Sequence, residues 1–479
     1  MAAAEVAPIV KIGGLADVVG SLPADLKKMN CDVRIVIPLY GSIDRKKAGL
    51  KKIYSNIEIP SGNNDDSDYQ CEKVNIWEGE LKPGRIKIYF IENKKYFQGD
   101  VYGDGNNKKF LFFSQALLYS LPIIKFQPDI IHAHDYHAAM LPLLLKITAY
   151  EYFKNTKTIL TIHNLQFQGK EDVASLKIAD LESHYAKSLA RDAQDGKINF
   201  LEQGIVHADF LNTVSKTYAQ EILTKKYGAG LEKVLQKNQK KLKGIVNGID
   251  VDFFGPVKDK MIFKNFSLKN IKNKLDNKIA LQRLVGLPQN KKTPVIGLVS
   301  RLTKQKGIDL LTEDFMRLDC QFVFLGTGQK EQEEILLNLE KKYPEKVSAK
   351  IMFDVKLAQQ IYAGSDMFLM PSAFEPCGLG QLIAMRYGTV PIVRSTGGLS
   401  DTVGDYSIKN KKVNIASQRG FAFEKLNSKD LYNVLQLAID LYQDQPQKWQ
   451  KIIKNCMTSD FSWKKSAAEY IAMYKLVLD

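Results

Sequence analysis

Two glycine-containing segments of similar sequence lie far apart in the chain, KIGGLAD at 11–17 and TGGLSDT at 396–402. A glycine pair permits a tight turn and close backbone approach, and a helix is expected to follow each turn. The first amides of a helix attract anions, and Lys11 adds a positive charge. The first segment therefore predicts a phosphate site at Gly13 and Gly14. A plain glycine turn is the alternative, because the segment is not GxGxxG.

A cationic segment, SRLTKQKG at 300–307, follows an apolar strand. Arg301 and Lys306 are expected at the carboxyl end of that strand, where open α/β sheets bind ligands. Arginine grips a diphosphate through two donors, and lysine supplies a compact charge. The alternative is that both are solvated surface charges.

A carboxylate begins the segment FEPCGLGQLIAMRYG at 374–388. Glu375 precedes a Pro-Cys-Gly turn and an apolar helix, and a helix N-terminus is a favourable place for a negative charge. Glu375 is thus a candidate catalytic group, or else an ordinary helix-start glutamate.

Four of the six histidines lie in HAHDYH (132–137) and TIHN (161–164), each beginning at the end of an apolar strand. A zinc site from the first three histidines lacks an obvious further ligand. Polar strand ends that face a cleft are the better interpretation, with His163 and Asn164 able to hydrogen-bond a sugar.

Three further motifs carry little weight. LGTGQKE (325–331) lacks the third glycine of a dinucleotide fingerprint. The acidic triplets at 66–68 and 250–252 are interpreted as chance, the first in an exposed loop at 61–68 and the second after an Asn-Gly turn.

Short apolar runs without alternation recur throughout, as in parallel strands buried on both faces. The predicted strands are 32–38, 85–91, 128–134, 157–163, 208–214, 293–300, 320–326, 349–354, 366–371 and 389–394. Helices fit between them, which indicates βαβ units and doubly wound sheets.

The α/β pattern is interrupted after 247, where a lysine- and asparagine-rich stretch (258–280) precedes a fresh strand. We therefore expect two Rossmann-like domains, 1–247 and 248–460. The remaining segment, 461–479, reads as an amphipathic helix.

Composition narrows the function classes. A net charge of +15 without a run of cations interleaved with aromatics argues against nucleic acid as a partner. No apolar run is long enough for a membrane span. Five widely spaced cysteines without CxxC indicate reduced thiols in a cytoplasm rather than disulfides or zinc.

These motifs occur together and in order: KIGGLADVVGSLP, HAHDYH, TIHNLQFQG, VNGID, SRLTKQKG, IYAGSD, FEPCGLGQL and TGGLSDT. The chain thereby resembles the bacterial glycogen synthases and plant starch synthases from about residue 2 to its end. The resemblance implies a GT-B architecture: two Rossmann-like domains that face a cleft, with the last helix crossing back to the first domain. It also implies retaining transfer of glucose from ADP-glucose to the non-reducing end of an α-1,4-glucan, without a metal or other cofactor.

By resemblance, one set of residues binds the donor and a smaller set surrounds the glucose. The donor set is Lys11, Gly13, Gly14, Asp17, Arg301, Lys306, Phe353, Thr396, Gly397 and Gly398, with Phe353 at the base and the rest near the phosphates. The glucose set is Asp135, His163, Asn247 and Glu375, with Cys377, Gly378 and Leu379 as the turn supporting Glu375.

The chemistry needs fixed positive charge, because breaking a glycosyl–phosphate bond leaves extra negative charge on the diphosphate. Arg301, Lys306 and Lys11 could replace the magnesium ion that many sugar-transfer sites use. Retention suggests a nucleophilic carboxylate, for which Glu375 is the candidate. An orienting or stabilising role for Glu375 stays open.

The chain departs from the family pattern at several positions. The family commonly has tryptophan at the position of Tyr136 and a larger residue at the position of Gly380. It has a tyrosine that stacks on the nucleotide base where this chain has Phe353. Only Met1 to Ala4 precede Glu5, where the family has an apolar strand, so we expect a displaced start with about five further residues upstream.

Three other functions are alternatives to ADP-glucose-dependent glucan synthesis. They are a glucan synthase that uses UDP-glucose, a non-catalytic nucleotide- or glucan-binding homologue, and an oxidoreductase on Rossmann domains. The missing GxGxxG disfavours the last, and the joint presence of Lys11, His163, Arg301, Lys306 and Glu375 disfavours the second.

Overall fold

A computed structural model describes residues 1–62, 70–102, 107–148, 151–404 and 417–479. The chain forms two compact units: unit 1 comprises Met1–Gly248 and Trp463–Asp479, and unit 2 comprises Ile249–Ser462. The predicted boundaries, after 247 and 460, fall close to these divisions. Most of the predicted loop at 61–68, including the triplet at 66–68, lies outside the described residues.

Unit 1 is built on a predominantly parallel sheet. Its strands are β1 (Arg34–Pro38), β2 (Lys51–Ser61), β3 (Gln70–Leu81), β4 (Ile86–Glu92), β5 (Ile130–His134), β6 (Lys157–Ile162), β7 (Lys170–Asp172), β8 (Lys197–Asn199), β9 (Phe210–Thr213) and β10 (Leu242–Gly244). Two four-stranded sets have the orders β1-β4-β3-β2 and β10-β9-β6-β5, and β7 pairs with β8 separately. The pairs β3–β4 and β2–β3 are antiparallel.

The N-terminal segment joins the two sets. Ala2 forms parallel bridges to Val36 of β1 and to Ala133 of β5. Ala2 N donates to His132 O (2.9 Å), and His134 N donates to Ala2 O (3.0 Å). Ala2 therefore supplies a backbone partner to both neighbouring strands.

Helices cover this sheet. They are α1 (Gly14–Lys28), α2 (Lys94–Phe97), α3 (Lys108–Ile123), α4 (Leu141–Thr148), α5 (Lys187–Asp192), α6 (Phe200–His207), α7 (Lys216–Glu221) and α8 (Glu232–Lys237). The longest, α3, is apolar on nearly all sides and is buried along its length, as its run KKFLFFSQALLYSLPI predicts.

Unit 2 contains a six-stranded sheet, parallel throughout. Its elements in chain order are α9 (Asn273–Val285), β11 (Val295–Val299), β12 (Gln321–Gly326), α10 (Lys330–Lys342), β13 (Val347–Ile351), α11 (Val355–Gly364), β14 (Met367–Met370), α12 (Gly380–Arg386), β15 (Val390–Arg394), α13 (Gly397–Thr402), β16 (Phe421–Phe423), α14 (Ser428–Asp444) and α15 (Pro446–Thr458). The strand order is β13-β12-β11-β14-β15-β16. This is the Rossmann order, and its direction reverses between β11 and β14.

The last helix, α16 (Trp463–Leu478), belongs to unit 1. Its buried residues Trp463, Ala467 and Tyr470 pack with apolar residues of α1, including Val18 and Leu22. The chain thus returns to its first unit, as expected. Among the described residues, the structure contains no helix with the length and apolarity to cross a membrane.

Candidate active site

Three predicted groups of unit 2, Arg301, Lys306 and Glu375, lie at the topological switch point of its sheet. Arg301 follows β11, and Glu375 follows β14, the strand beside it. The carboxyl ends of two adjacent parallel strands whose helices leave toward opposite faces form a crevice there. Lys306 ends a short 3₁₀ turn, 304–306, in the loop after β11.

Glu375 and Lys306 form an ion pair within this crevice. Lys306 Nζ lies 2.6 Å from Glu375 Oε2, and Ser372 Oγ donates to the same oxygen at 2.9 Å. The side chains of Lys306 and Glu375 are only 17% and 9% exposed. Both bonds reach Oε2, and Oε1 has no hydrogen-bond partner among the described residues.

Hydrogen bonds and close packing hold the loop of Lys306 against the loop of Glu375. Gln305 Nε2 donates to Phe374 O (3.0 Å), and Ala373 N donates to Gln305 O (2.8 Å). Gly307 has a φ of +69°, and a Cβ there would lie 2.2 Å from Pro371 O. Buried Arg394 donates to Ala373 O at 2.5 Å. The ion pair therefore rests on a rigid support.

Arg301 and Phe353 differ from the ion pair in being open to solvent. Arg301 is exposed, and the described residues give its guanidinium no hydrogen bond or ion pair. Phe353 follows β13 and is 84% exposed. The predicted strand 349–354 is thus wrong at its end, since β13 runs from Val347 to Ile351.

The second glycine turn packs on the Glu375 turn. Gly397 has a φ of +45°, and a Cβ there would lie 2.0 Å from Glu375 O. Gly398 N donates to Glu375 O and to Pro376 O, both at 3.1 Å. Thr396 is fully buried as the residue before α13. These glycines therefore serve close backbone packing, and the amide of Gly398 is already bonded.

The Pro-Cys-Gly turn leads into α12. Cys377 is a buried free thiol, Gly378 has a φ of +75°, and Leu379 immediately precedes the helix. Gly380 opens α12, where a Cβ would lie 2.9 Å from the Phe368 ring of β14. The small residue at 380 thus brings α12 close to its strand.

The first glycine turn of unit 1 is organised by a buried carboxylate. Glu5 Oε2 accepts from Ile12 N (2.6 Å) and Gly13 N (3.0 Å). Gly14, the first residue of α1, is exposed. The Gly13 amide of the predicted anion site is therefore occupied by a protein carboxylate, whose pKa is raised by burial.

Lys11 and Asp17 are paired beside this turn. Lys11 Nζ lies 2.6 Å from Asp17 Oδ1, and the side chains are 46% and 28% exposed. Burial raises the pKa of Asp17, and the positive charge of Lys11 offsets part of that rise.

Asp135 and His163 follow the neighbouring parallel strands β5 and β6. Asp135 Oδ1 accepts from His163 N at 2.7 Å and from Asn164 N at 3.4 Å. Burial raises the pKa of Asp135 to about 7, although these two amides lower it. Burial lowers the pKa of His163 to about 3. Asp135 adopts a left-handed φ of +55°, an uncommon backbone state often found at functional sites.

The remaining predicted residue, Asn247, lies at the end of the first part of unit 1. It is 6% exposed, and its Oδ1 is buried without a hydrogen-bond partner. No group of three or more histidine, cysteine, aspartate and glutamate residues in the described ranges has the arrangement of a metal site.

Sequence reasoning missed Ser372 and Glu5 as supports of the site. Ser372 is a single small residue three positions before Glu375, and no pattern distinguishes it. Glu5 is a lone acidic residue in an apolar segment, and that contrast was a usable signal because buried carboxylates need partners.

The chain matches two family models. Residues 1–237 match the starch synthase catalytic domain, and residues 285–455 match glycosyl transferases group 1. It is 43% identical over 486 aligned residues to a glycogen synthase of Thermotoga maritima, covering 99% of this chain and 97% of the relative. A glycogen synthase of Clostridioides difficile is also 43% identical, with 99% and 98% covered.

The chain belongs to the glycogen and starch synthase family. A solved structure, the catalytic domain of starch synthase IV from Arabidopsis thaliana bound to ADP and acarbose, aligns with a TM-score of 0.89 and 32% identity, covering 100% of this chain and 98% of that one. Sucrose-phosphate synthase from Thermosynechococcus elongatus shares the fold at a TM-score of 0.58 and 16% identity, covering 95% and 91%. The expected GT-B fold class and the activity class, glycosyl transfer, are thereby confirmed.

Proposed function

We propose that this enzyme transfers glucose from ADP-glucose to the non-reducing end of an α-1,4-glucan, with retention of the anomeric configuration. The observation that carries the chemistry is the set of charges at the switch point of unit 2: the pair Lys306–Glu375, and exposed Arg301 in the same loop as Lys306. The names of the relatives support a glucan acceptor. ADP in the starch synthase IV structure supports the adenine nucleotide.

In this proposal Arg301 and Lys306 bind the diphosphate of the donor. Charge builds on the diphosphate as the glycosyl bond breaks, and fixed cations stabilise it without reorganising. Arg301 suits this role because its guanidinium is exposed and has no partner among the described residues. Phe353, 84% exposed, offers a ring on which the base stacks.

We assign Glu375 to positioning and charge stabilisation rather than to nucleophilic attack. Lys306 and Ser372 both bind Oε2, and the ammonium charge of Lys306 draws electron density from the carboxylate, which makes it a weaker nucleophile. The pair fixes the direction of Lys306, and the carboxylate stabilises the sugar as it becomes cationic. The acceptor hydroxyl then attacks on the leaving-group face and passes its proton to the departing diphosphate oxygen, which gives retention without a covalent enzyme intermediate.

The unit 1 groups in this proposal bind sugar hydroxyls. Asp135 uses only Oδ1 for the His163 and Asn164 amides, so Oδ2 is available to a hydroxyl. The unpartnered Oδ1 of Asn247 is a further acceptor. The cation of unit 1 in this proposal is Lys11, which is paired with Asp17.

We further propose that the reaction needs no metal and takes place in the cytoplasm. In this proposal Arg301 and Lys306 of unit 2 supply positive charge of the kind that a magnesium ion supplies elsewhere. All five cysteines are free thiols, which suits a reducing compartment.

The test is a transfer assay with radiolabelled ADP-glucose or UDP-glucose and glycogen, with and without EDTA. We expect label from ADP-glucose at non-reducing ends, released by β-amylase as maltose, and full activity in EDTA. Label only from UDP-glucose would overturn the donor, and loss of activity in EDTA would overturn the metal-free mechanism. Donor binding without any transfer would show a non-catalytic homologue.

A further inference from the structure

Three histidines form a row across unit 1. His132 and His134 lie on β5, and their rings stack with centroids 4.3 Å apart and an interplanar angle of 24°. His134 Nδ1 lies 2.9 Å from Nε2 of His163, which follows the neighbouring strand β6. The row thus connects the sheet interior to a candidate active-site residue.

The His134–His163 bond requires that one ring donates and the other accepts. Burial keeps both rings neutral, because it lowers the pKa of His163 to about 3 and that of His134 well below its usual value. A neutral imidazole carries one N–H. The direction of this bond therefore decides which nitrogen of each ring carries the proton.

The surroundings of His134 favour one direction. Its Nε2 is buried and has no hydrogen-bond partner. If His163 donated, His134 would carry its proton on Nε2, which leaves an orphaned N–H in the interior. Buried unpaired N–H groups are rarer than unpaired acceptors. Donation from His134 Nδ1–H to His163 Nε2 avoids the orphaned donor.

We infer that His134 is a positioning residue that fixes His163 with its proton on Nδ1, so that His163 offers a hydrogen-bond donor to an oxygen of the transferred sugar. This role rests on the proposed glucosyl transfer. The Nδ1 of His163 has no partner among the described residues, and the side chain is partly exposed. A donor at this atom complements the acceptors Asp135 and Asn247.

The row is held from behind by the last helix. His132 Nδ1 lies 2.8 Å from Tyr474 Oη of α16, and His132 Nε2 lies 2.6 Å from Thr161 Oγ1. Asn212 Nδ2 donates to Thr161 Oγ1 (3.2 Å) and to Tyr470 Oη of α16 (3.0 Å). With both nitrogens engaged, the His132 ring cannot turn, and it supports the stacked face of His134.

The first test reads the tautomer directly. The chain has only six histidines, so protein labelled with ¹⁵N-histidine gives few signals in a long-range ¹H–¹⁵N correlation spectrum, and a His163→Gln variant assigns the signal. We expect His163 protonated on Nδ1 and unprotonated on Nε2. The opposite pattern overturns the inference whether or not the protein transfers glucose, so this result is independent of the proposed function.

The second test compares two substitutions of His134. In His134→Asn the amide Nδ2 lies near the position of the imidazole Nδ1 and can donate, whereas His134→Leu has no donor. We expect His134→Leu to lower kcat by about 10- to 100-fold, the range seen when the orienting partner of a functional histidine is removed, with KM for the donor changed less. His134→Asn should retain most of kcat.

Controls separate positioning from folding. His184 is exposed, so His184→Leu removes a histidine without affecting the row and should match the wild type. Wild-type kcat in His134→Leu would refute the inference. Equal losses in the two His134 variants would show that ring shape and not donation matters, which also refutes it. If His134→Leu fails to fold, the spectrum of the wild type still decides.

Discussion

Replacing Lys306 by alanine removes two functions of one side chain. The ammonium group is a proposed diphosphate ligand, and it is also the ion-pair partner of Glu375 at 2.6 Å. Arg301→Ala is the matched comparison, since the described residues give the Arg301 side chain no partner. The two variants should therefore share a catalytic defect and differ in stability.

The expected sizes follow from burial. Loss of one preorganised charge-stabilising group lowers turnover by about 10²- to 10³-fold in either variant. Breaking a buried ion pair costs about 3–5 kcal/mol, and the 17% exposure of Lys306 places the loss near the lower end. For a domain of this size, about 3 kcal/mol lowers Tm by roughly 6–12 °C. Arg301→Ala should leave Tm unchanged.

The assay pairs initial rates of glucosyl transfer with calorimetric Tm values. Lys304→Ala, in the same loop and exposed, is the control and should behave as the wild type. In the double variant Lys306→Ala/Glu375→Gln, the uncompensated charge is gone, so Tm should recover while turnover stays low. Equal Tm losses for Arg301→Ala and Lys306→Ala, or wild-type turnover in either, would refute this reasoning.

Three further outcomes are expected. Glu375→Gln should lower kcat by about 10²-fold or more with little change in donor KM, because the carboxylate charge matters most when the sugar is cationic; a raised KM at normal kcat would contradict this. Phe353→Ala should raise donor KM about 5- to 150-fold, the effect of about 1–3 kcal/mol of stacking, with Tm unchanged at this 84% exposed position. Met352→Ala, at a neighbouring position 46% exposed, is the control. Since the folded-state pKa of Asp135 is raised from 3.8 to about 7, the native state binds the extra proton between these values, and its stability falls as pH rises through that window. Asp135→Asn should therefore raise Tm near pH 8 but not near pH 4, and an equal shift at both pH values would count against a raised pKa.

The parallel strands could be predicted because strands buried on both faces read as continuous apolar runs. Such runs identified β1, β5 and β6, and the central strands of unit 2, from residues alone. The same rule failed after β13, where Met352 and Phe353 extend the apolar run into an exposed loop. From the sequence alone, an exposed apolar residue that follows a strand cannot be distinguished from an apolar residue of the strand that is buried in the core.

The antiparallel strands β2 and β3 could not be predicted in this way. The first residues of β2 are exposed, and its sequence KKIYSNIEIPS contains many polar residues. Its pairing with β3 also contains register shifts, so neither burial nor regular alternation marks it.

The positions of candidate groups at strand ends were predictable, whereas their partners were not. Lys306 and Glu375 are 69 residues apart, and only the neighbouring placement of β11 and β14 brings them together. The capture of Ile12 and Gly13 by Glu5 likewise depends on where the N-terminal segment enters the sheet. The local sequence pattern predicts which chemical group lies at a strand end, whereas the order of the strands in the sheet determines which residue that group contacts.

The return of α16 to unit 1 has a consequence for synthesis on the ribosome. Unit 2 is translated in full before α16 emerges from the ribosome, so it can fold as a continuous segment. Unit 1 lacks one helix during that time and cannot complete its fold. During that interval Val18, Leu22 and Leu26 of α1 have no α16 side chains to cover them. The nascent chain therefore carries an apolar surface on α1 that α16 covers only later, and chaperones have their longest opportunity to bind there.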